Sequence, residues 1–284
     1  MKLATFRHAG DIKIGAVCGD EIAVAGGHVT AASDMAGFLA AGAPALDALR
    51  EFTETGSGRV ALADVQILAP IPRPGKFLGI GLNYADHIEE TGRDRPEYPT
   101  FFSKLSSCVI GPGEPILCPK VSDKVDYEGE LAFVIGRRGR HIPLERAREY
   151  IAGFTICNDV TVRDWQQRSA TWVLGKSFDT HGPLGPWLVT ADEITDPHNL
   201  TLTTWVDREQ RQHANTGDML FNCFEMVAYL SQAITLEPGD VITTGTPSGV
   251  GVKMTPRGYL KPGQTVRIEI SGIGELFNPV IAEA

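Results

Sequence analysis

The sequence predicts a β-rich α+β protein: a mixed β-roll with peripheral helices over residues 71–284, preceded by a small N-terminal α+β domain over residues 1–70. Three observations lead there. After residue 76, short apolar and β-branched runs recur between glycines, as many strands joined by tight turns would. Those runs do not alternate regularly with helical patterns, which argues against a doubly wound parallel sheet. The first seventy residues follow a different pattern, and the Pro-rich stretch 69–75 reads as a linker.

In chain order, residues 2–6, 13–17 and 21–25 alternate in polarity and predict strands divided by glycine turns. Residues 33–52 carry helical spacing through Met35, Phe38, Leu39, Leu46 and Leu49. The Ala-Gly-Ala-Pro at 41–44 divides that stretch into two short helices. A strand follows at 65–68. Beyond the linker, strands are predicted at 77–80, 131–135, 154–158, 188–190, 201–206, 241–244 and 266–270, and helices at 83–91, 144–150 and 223–233.

Composition bounds the function. The 284 residues carry 26 basic and 35 acidic side chains, a formal net charge of −9. Nucleic acid or an anionic membrane as main partner would require a basic footprint, so neither is expected. A small anionic substrate is compatible, because a bound metal and a few cations can reverse the local field. No apolar run is long enough for a signal-peptide core or a membrane span, and the chain is expected to be cytoplasmic. The five cysteines are scattered, with no C-x-x-C pair, and read as reduced core residues.

Several segments carry residues suited to chemistry. In Asp126-Tyr-Glu-Gly-Glu-Leu131, Glu128 and Glu130 lie two apart, so on a strand they share a face and could share a hard cation. The apolar run 131–135 carries that strand into the core. A charged strand end in water is the plainer reading of Glu-x-Glu alone. Asp159 sits where an apolar run ends in polar residues, placed either as a ligand or as an Asx-turn residue. An all-oxygen site would favour Mg²⁺, Mn²⁺ or Ca²⁺. In 79–90, Asn83 is positioned to cap a helix on which His87 and Glu90 stand at i and i+3, either a general base with its orienting carboxylate or a surface pair. Lys176 follows a glycine in a loop and, alone, reads as a surface lysine. The segment 243–250 leaves a strand into a Pro/Gly turn whose backbone and Thr246 hydroxyl could cradle a carboxylate. Trp165, Trp172, Phe178, His181 and Trp187 either shape a pocket or fill the core.

Taken together and in order, these segments resemble the fumarylacetoacetate hydrolase superfamily. The resemblance rests on Gly-Leu-Asn-Tyr-x-x-His-x-x-Glu (81–90), Asp-Tyr-Glu-x-Glu-Leu (126–131), Asn-Asp-Val-Thr-x-Arg-Asp (158–164), Gly-Lys-Ser-x-Asp (175–179), Thr-Gly-Thr-Pro-x-Gly-Val (244–250) and a closing Gly-Ile-Gly-Glu-Leu (272–276). It implies a divalent metal, Mg²⁺ or Mn²⁺, on Glu128, Glu130 and Asp159. It implies a water-activating dyad of His87 and Glu90 beneath a lid at 88–99. Lys176 and Thr246 would contact the 2-oxo-carboxylate, supported by Arg163 and Gln166. The family fold is a mixed β-roll assembled as a homodimer. One departure stands at Leu82, where some acylpyruvase-like members carry arginine, and it bears on the substrate's tail.

The implied activity is metal-dependent hydrolysis of a C–C bond in a small 2,4-dioxo acid of acylpyruvate type. The products would be pyruvate and a shorter acid. Decarboxylation of an oxaloacetate-type 2-oxo acid and ureidoglycolate lysis are the alternatives within the superfamily. A non-catalytic metal-binding scaffold is the alternative outside it, and His87, Glu90 and Lys176 together argue against that.

Overall fold

The computed structural model describes residues 1–27 and 29–284. Among these, one 12-stranded sheet runs from Arg59–Ala61 through Glu21–Val24, Asp11–Cys18 and Lys2–His8 to Gly182–Thr190. It continues through Ile151–Asn158, Gly129–Ile135, Val241–Thr243 and Phe77–Gly81 to Thr100–Lys104. Gln66–Leu68 and Val109–Ile110 pair off this path. A five-stranded sheet orders Glu209–Asn215, Thr201–Val206, Thr265–Ile270, Gly274–Ala282 and Ile116–Cys118. The large sheet is mixed, since Val241–Thr243 pairs antiparallel with Gly129–Ile135 and parallel with Phe77–Gly81. This is the β-rich, mixed β-roll architecture that the sequence predicts.

Gly129–Ile135 explains why the sheet lies where it does. All seven residues are buried. Alternate side chains of a strand point to opposite faces, so the two faces need separate cores. Leu131, Phe133 and Ile135 enter a cluster with Leu202, Ile268, Leu276 and the helix residues Met226, Val227 and Leu230. Ala132 and Val134 enter another with Leu3, Met35, Phe38 and Leu49. Each large side chain so buried contributes about 1.5–3 kcal/mol. The N-terminal segment therefore covers one face of the central strands, and its strand Lys2–His8 hydrogen-bonds Gly182–Thr190.

Helices Met35–Ala40 and Ala43–Thr55 are divided at Ala41-Gly42, with Pro44 in the first turn of the second. Cys223–Ala233 begins with a capping box: Asn222 Oδ1 accepts from the Phe224 and Glu225 N–H groups, and Glu225 accepts from the Asn222 N–H. Three expectations change. The segment Leu144–Tyr150 is a 3₁₀ helix. Strands Thr100–Lys104 and Glu209–Asn215 were not anticipated. The helix expected over 83–91 is Ala85–Thr91, and Asn83 does not cap it. The Asn83 side chain instead donates to the Phe221 and Thr244 carbonyls and accepts from the Phe221 N–H, fastening the loop before the helix to the rest of the fold. No helix among the described residues is long and apolar enough to cross a membrane, and all five cysteines are free.

Candidate active site

Two adjacent strand ends bring the acidic residues together. Gly129 pairs with Asn158, so Glu128 and Glu130 flank one member of that pair and Asp159 follows the other. Glu128 itself immediately precedes the strand. The Asp159 N–H donates to the Glu128 carbonyl at 2.9 Å, and the Glu128 N–H donates to Asn158 Oδ1 at 3.0 Å. One carboxylate oxygen from each of Glu128, Glu130 and Asp159 then lies within 4.8 Å of the others, with all three residues buried. Gly129 is required by close approach: a Cβ there would fall 2.2 Å from Thr204 Oγ1.

Three buried carboxylates at this spacing repel one another and need cations. Three buried cations meet them. Lys176 Nζ donates to Glu128 Oε2 at 2.5 Å and to Asp159 Oδ2 at 2.6 Å. Lys104 Nζ donates to Asp159 Oδ1 at 2.7 Å, and also to the carbonyls of Lys176 and His181. Arg163 lies 2.7 Å from Glu128 Oε1, while its Nε donates to Asp126 Oδ2 at 2.8 Å. Burial works to raise the Glu128 carboxyl, but Arg163 and Lys176 outweigh it and hold the group well below its usual range. Glu130 goes the other way. Burial, then the charges of Asp159 and Glu128, push it well above the usual carboxylate range. Burial alone would lower Lys104, yet Asp159 more than offsets it and the ammonium is held charged.

A hard divalent cation fits this donor set. The donors are all carboxylate oxygens, they converge, and the Lys176 ammonium already bridges two of them. Glu130 is the member whose charge the protein cations leave least balanced. Its Oε2 accepts from the Gly245 N–H at 2.9 Å.

Glu128 and Glu130 open onto a cavity of about 290 Å³. Of the sequence-singled residues, His87, Glu128, Glu130, Arg163, Gln166, Lys176 and Thr246 line it, while Glu90 and Asp159 stand behind the lining. His87 Nδ1 lies 3.3 Å from Glu90 Oε2, and Glu90 Oε1 accepts from the Gly249 N–H at 3.1 Å. Their helix is tied down a second time, since Asp86 accepts from the Ser248 N–H and hydroxyl. Arg163 Nη1 donates to Gln166 Oε1 at 3.2 Å. Of the aromatic stretch, Trp172 lines the cavity, edge-on to Phe102 at 5.7 Å between centroids. Trp165 packs on Phe178, and Trp187 donates to the Ile273 carbonyl.

Sequence reasoning passed over Lys104, Asp126 and Gln212. Lys104 shares strand parity with Phe102, and both point inward, so a lysine at an inward strand position was the available signal. Asp126 stands inside the quoted acidic motif, where it accepts from the Tyr127, Gly251 and Val252 N–H groups besides Arg163. Gln212 had no local signal, because it arrives from the other sheet.

Comparison with known proteins agrees with this geometry. Residues 76–281 match the family described as Fumarylacetoacetate (FAA) hydrolase C-terminal, and residues 1–70 match Rv2993c-like, N-terminal. The mitochondrial oxaloacetate tautomerase of Rattus norvegicus is 44% identical over 248 residues, covering 87% of this chain and 79% of that protein. Fumarylacetoacetate hydrolase from the psychrophile Exiguobacterium antarcticum superposes with a TM-score of 0.87 at 36% identity, over 100% of both chains. Maleylpyruvate hydrolase from Sphingobium sp. SYK-6, solved with manganese(II) and pyruvate, superposes with a TM-score of 0.84 at 32% identity, again over 100% of both. A match over most of the chain, on the motifs that build the acidic cluster, places this protein in the fumarylacetoacetate hydrolase family.

Proposed function

We propose that this enzyme holds a divalent cation, Mg²⁺ or Mn²⁺, on Glu128, Glu130 and Asp159 and moves a proton at the carbon beside the 2-oxo group of a small 2-oxo acid. The substrate is of oxaloacetate type, and the reaction interconverts its keto and enol forms. The observation that carries this reading is that His87, held by Glu90, lines the same cavity as Glu128, Glu130 and Lys176. The 44% identity to an oxaloacetate tautomerase supports it.

When bound, the cation supplies Lewis-acid charge for the oxygen that becomes negative. The rest falls to the protein. Glu90, fixed by the Gly249 N–H, occupies His87 Nδ1, and Nε2 has no partner among the described residues. The substrate C3–H bond breaks, its proton passes to Nε2, and its electron pair forms the C2–C3 double bond as the C2–O π pair moves onto oxygen. The Lys176 ammonium stabilises that oxyanion. Transfer of the proton to the same oxygen completes the enol.

A second reading is hydrolysis of the C–C bond of a 2,4-dioxo acid, with His87 and Glu90 activating a water. The likeness to a maleylpyruvate hydrolase crystallised with manganese(II) and pyruvate favours it. One assay separates the two. With Mg²⁺ or Mn²⁺, the enol absorbance of oxaloacetate is followed beside pyruvate release from acylpyruvates. Accelerated keto–enol exchange without pyruvate release selects the first reading, and the converse selects the second. Undiminished activity in excess chelator would remove the metal from both. The homodimer implied by the family resemblance is likewise proposed, and light scattering would test it.

A further inference from the structure

The hydroxyl proton of Thr246 is already spent. Gly129 lies beyond the register in which its strand pairs with Val241–Thr243, and two side chains satisfy its backbone. Its N–H donates to Gln212 Oε1 at 3.0 Å, and its carbonyl accepts from Thr246 Oγ1 at 3.0 Å. The orientation of an amide side chain is normally a matter of assignment. At Gln212 its partners fix it. A backbone N–H only donates, so the atom facing Gly129 is oxygen. A carbonyl only accepts, so the atom 3.0 Å from the Pro247 carbonyl is the NH₂ group.

That same Nε2 lies 2.7 Å from Thr246 Oγ1, and Thr246 must accept there. A hydroxyl has one proton and two lone pairs. The proton goes to the Gly129 carbonyl, one lone pair goes to Gln212, and one lone pair remains. Thr246 lines the cavity and Gln212 is buried behind it. Turning the proton toward a ligand would strand a buried carbonyl, a loss larger than one ordinary hydrogen bond returns.

We propose that Gln212 is a positioning residue that holds the Thr246 hydroxyl against the Gly129 carbonyl, which takes its proton, so that this point of the cavity offers a hydrogen-bond acceptor only. The site then favours a ligand whose oxygen there carries a proton, an enol or 2-hydroxy acid, over one presenting a bare carbonyl or carboxylate oxygen. This differs from the sequence expectation, in which the Thr246 hydroxyl cradles a carboxylate as a donor. It rests on the reading of the cavity as a 2-oxo acid site, and it names which tautomer that site holds more tightly.

The test compares glycolate with oxalate, two ligands of equal length of which only glycolate keeps a hydroxyl proton at neutral pH. Binding to the full-length protein in saturating Mg²⁺ is measured by calorimetry. Thr246→Val should weaken glycolate by about 3–10-fold, the worth of one hydrogen bond, and leave oxalate unchanged or tighter. Thr246→Ser should restore glycolate. Gln212→Met removes the donor that holds the Thr246 oxygen in place against the Gly129 carbonyl. The side chain can then turn away from that carbonyl, so the change in the glycolate-to-oxalate ratio should follow that of Thr246→Val, whereas a purely structural loss would weaken both ligands alike. Equal weakening of both ligands in Thr246→Val and Gln212→Met, or no change in either, overturns the proposal. Failure of the unmutated protein to bind either ligand would instead overturn the reading of the cavity on which it rests.

Discussion

Replacing Lys176 with methionine keeps the stem and removes the ammonium that bridges Glu128 and Asp159. The lysine is 3% exposed, and its two contacts are 2.5 and 2.6 Å long. Breaking a buried ion pair typically costs about 3–5 kcal/mol, because the partner stays buried and charged. Here Glu128 keeps Arg163 and Asp159 keeps Lys104, so the lower end, about 3 kcal/mol, applies. For a chain of 284 residues that is a loss of about 5 °C in Tm. The loss should be confined to the protein in chelator. Without the ammonium the three carboxylates are more negative, and a divalent cation replaces the missing charge, so added Mg²⁺ or Mn²⁺ should raise the variant's Tm by more than it raises the parent's. Activity should nevertheless fall about 10²–10³-fold, since the cation facing the developing oxyanion is gone. Thermal unfolding of both proteins, with chelator and with metal, checks this. An equal Tm deficit in both conditions would show that Lys176 and the cation do not share the carboxylates, and the metal assignment would fail with it.

Further outcomes are expected elsewhere. His87→Ala should slow enol–keto exchange or acylpyruvate hydrolysis by about 10²–10⁴-fold, the range for a positioned base, and Glu90→Gln should act in the same direction more mildly; steady-state rates check both, and unchanged rates would remove the pair from the chemistry. Gly129→Ala forces a Cβ toward Thr204 Oγ1 at 2.2 Å and should destabilise by about 1–3 kcal/mol, with weakened metal binding read by calorimetry. His181 is buried, its Nε2 donating to the Leu117 carbonyl; burial lowers its pKa from 6.5 to about 4. Between those values the unfolded chain binds a proton that the folded chain refuses, so stability rises with pH and is lost as pH falls through that window, by at most about 3 kcal/mol. Urea unfolding of His181→Gln should show a shallower acid limb over the same window, and an unchanged limb would refute the assignment.

Much of the fold was legible because it depends on local signals. The run 131–135 is apolar at every position, as a strand with a core on each face must be; the two clusters on either side of Leu131–Ile135 are the result. Asn222 and Glu225 announce the start of Cys223–Ala233 at the spacing of a capping box. The polar edge strand Glu209–Asn215 was illegible for the same reason: its residues read as loop, and pairing with Thr201–Val206 makes it a strand. Asn83 was misread because capping is a local preference. Its three hydrogen bonds, to residues 138 and 161 positions away in sequence, override it.

The site divides along the same line: its acids are visible in the local pattern, whereas Lys176 and Arg163 came only with the family resemblance and Lys104 not at all. Glu128, Glu130 and Asp159 stand at strand ends, where two- and one-residue offsets can be read from a pattern. Lys104, Lys176 and Arg163 reach them across 55, 17 and 35 residues of sequence, and no period predicts such distances. What could have predicted the cations is neutrality. A fully buried set of three carboxylates cannot persist in a folded chain without compensating charge, so placing the acids on an apolar strand obliges the sequence to supply lysines or arginines from elsewhere. Seen from that requirement, Lys104 is informative as the inward-facing residue of a strand whose other inward residue is Phe102, and Lys176 as the lysine of a loop packed so closely that a Cβ at Gly175 would fall 2.2 Å from the Gln166 backbone. Lysine ordinarily avoids both environments. One lysine in each, beside a core-bound acidic motif, is the combination by which the folded chain marks a buried charge cluster.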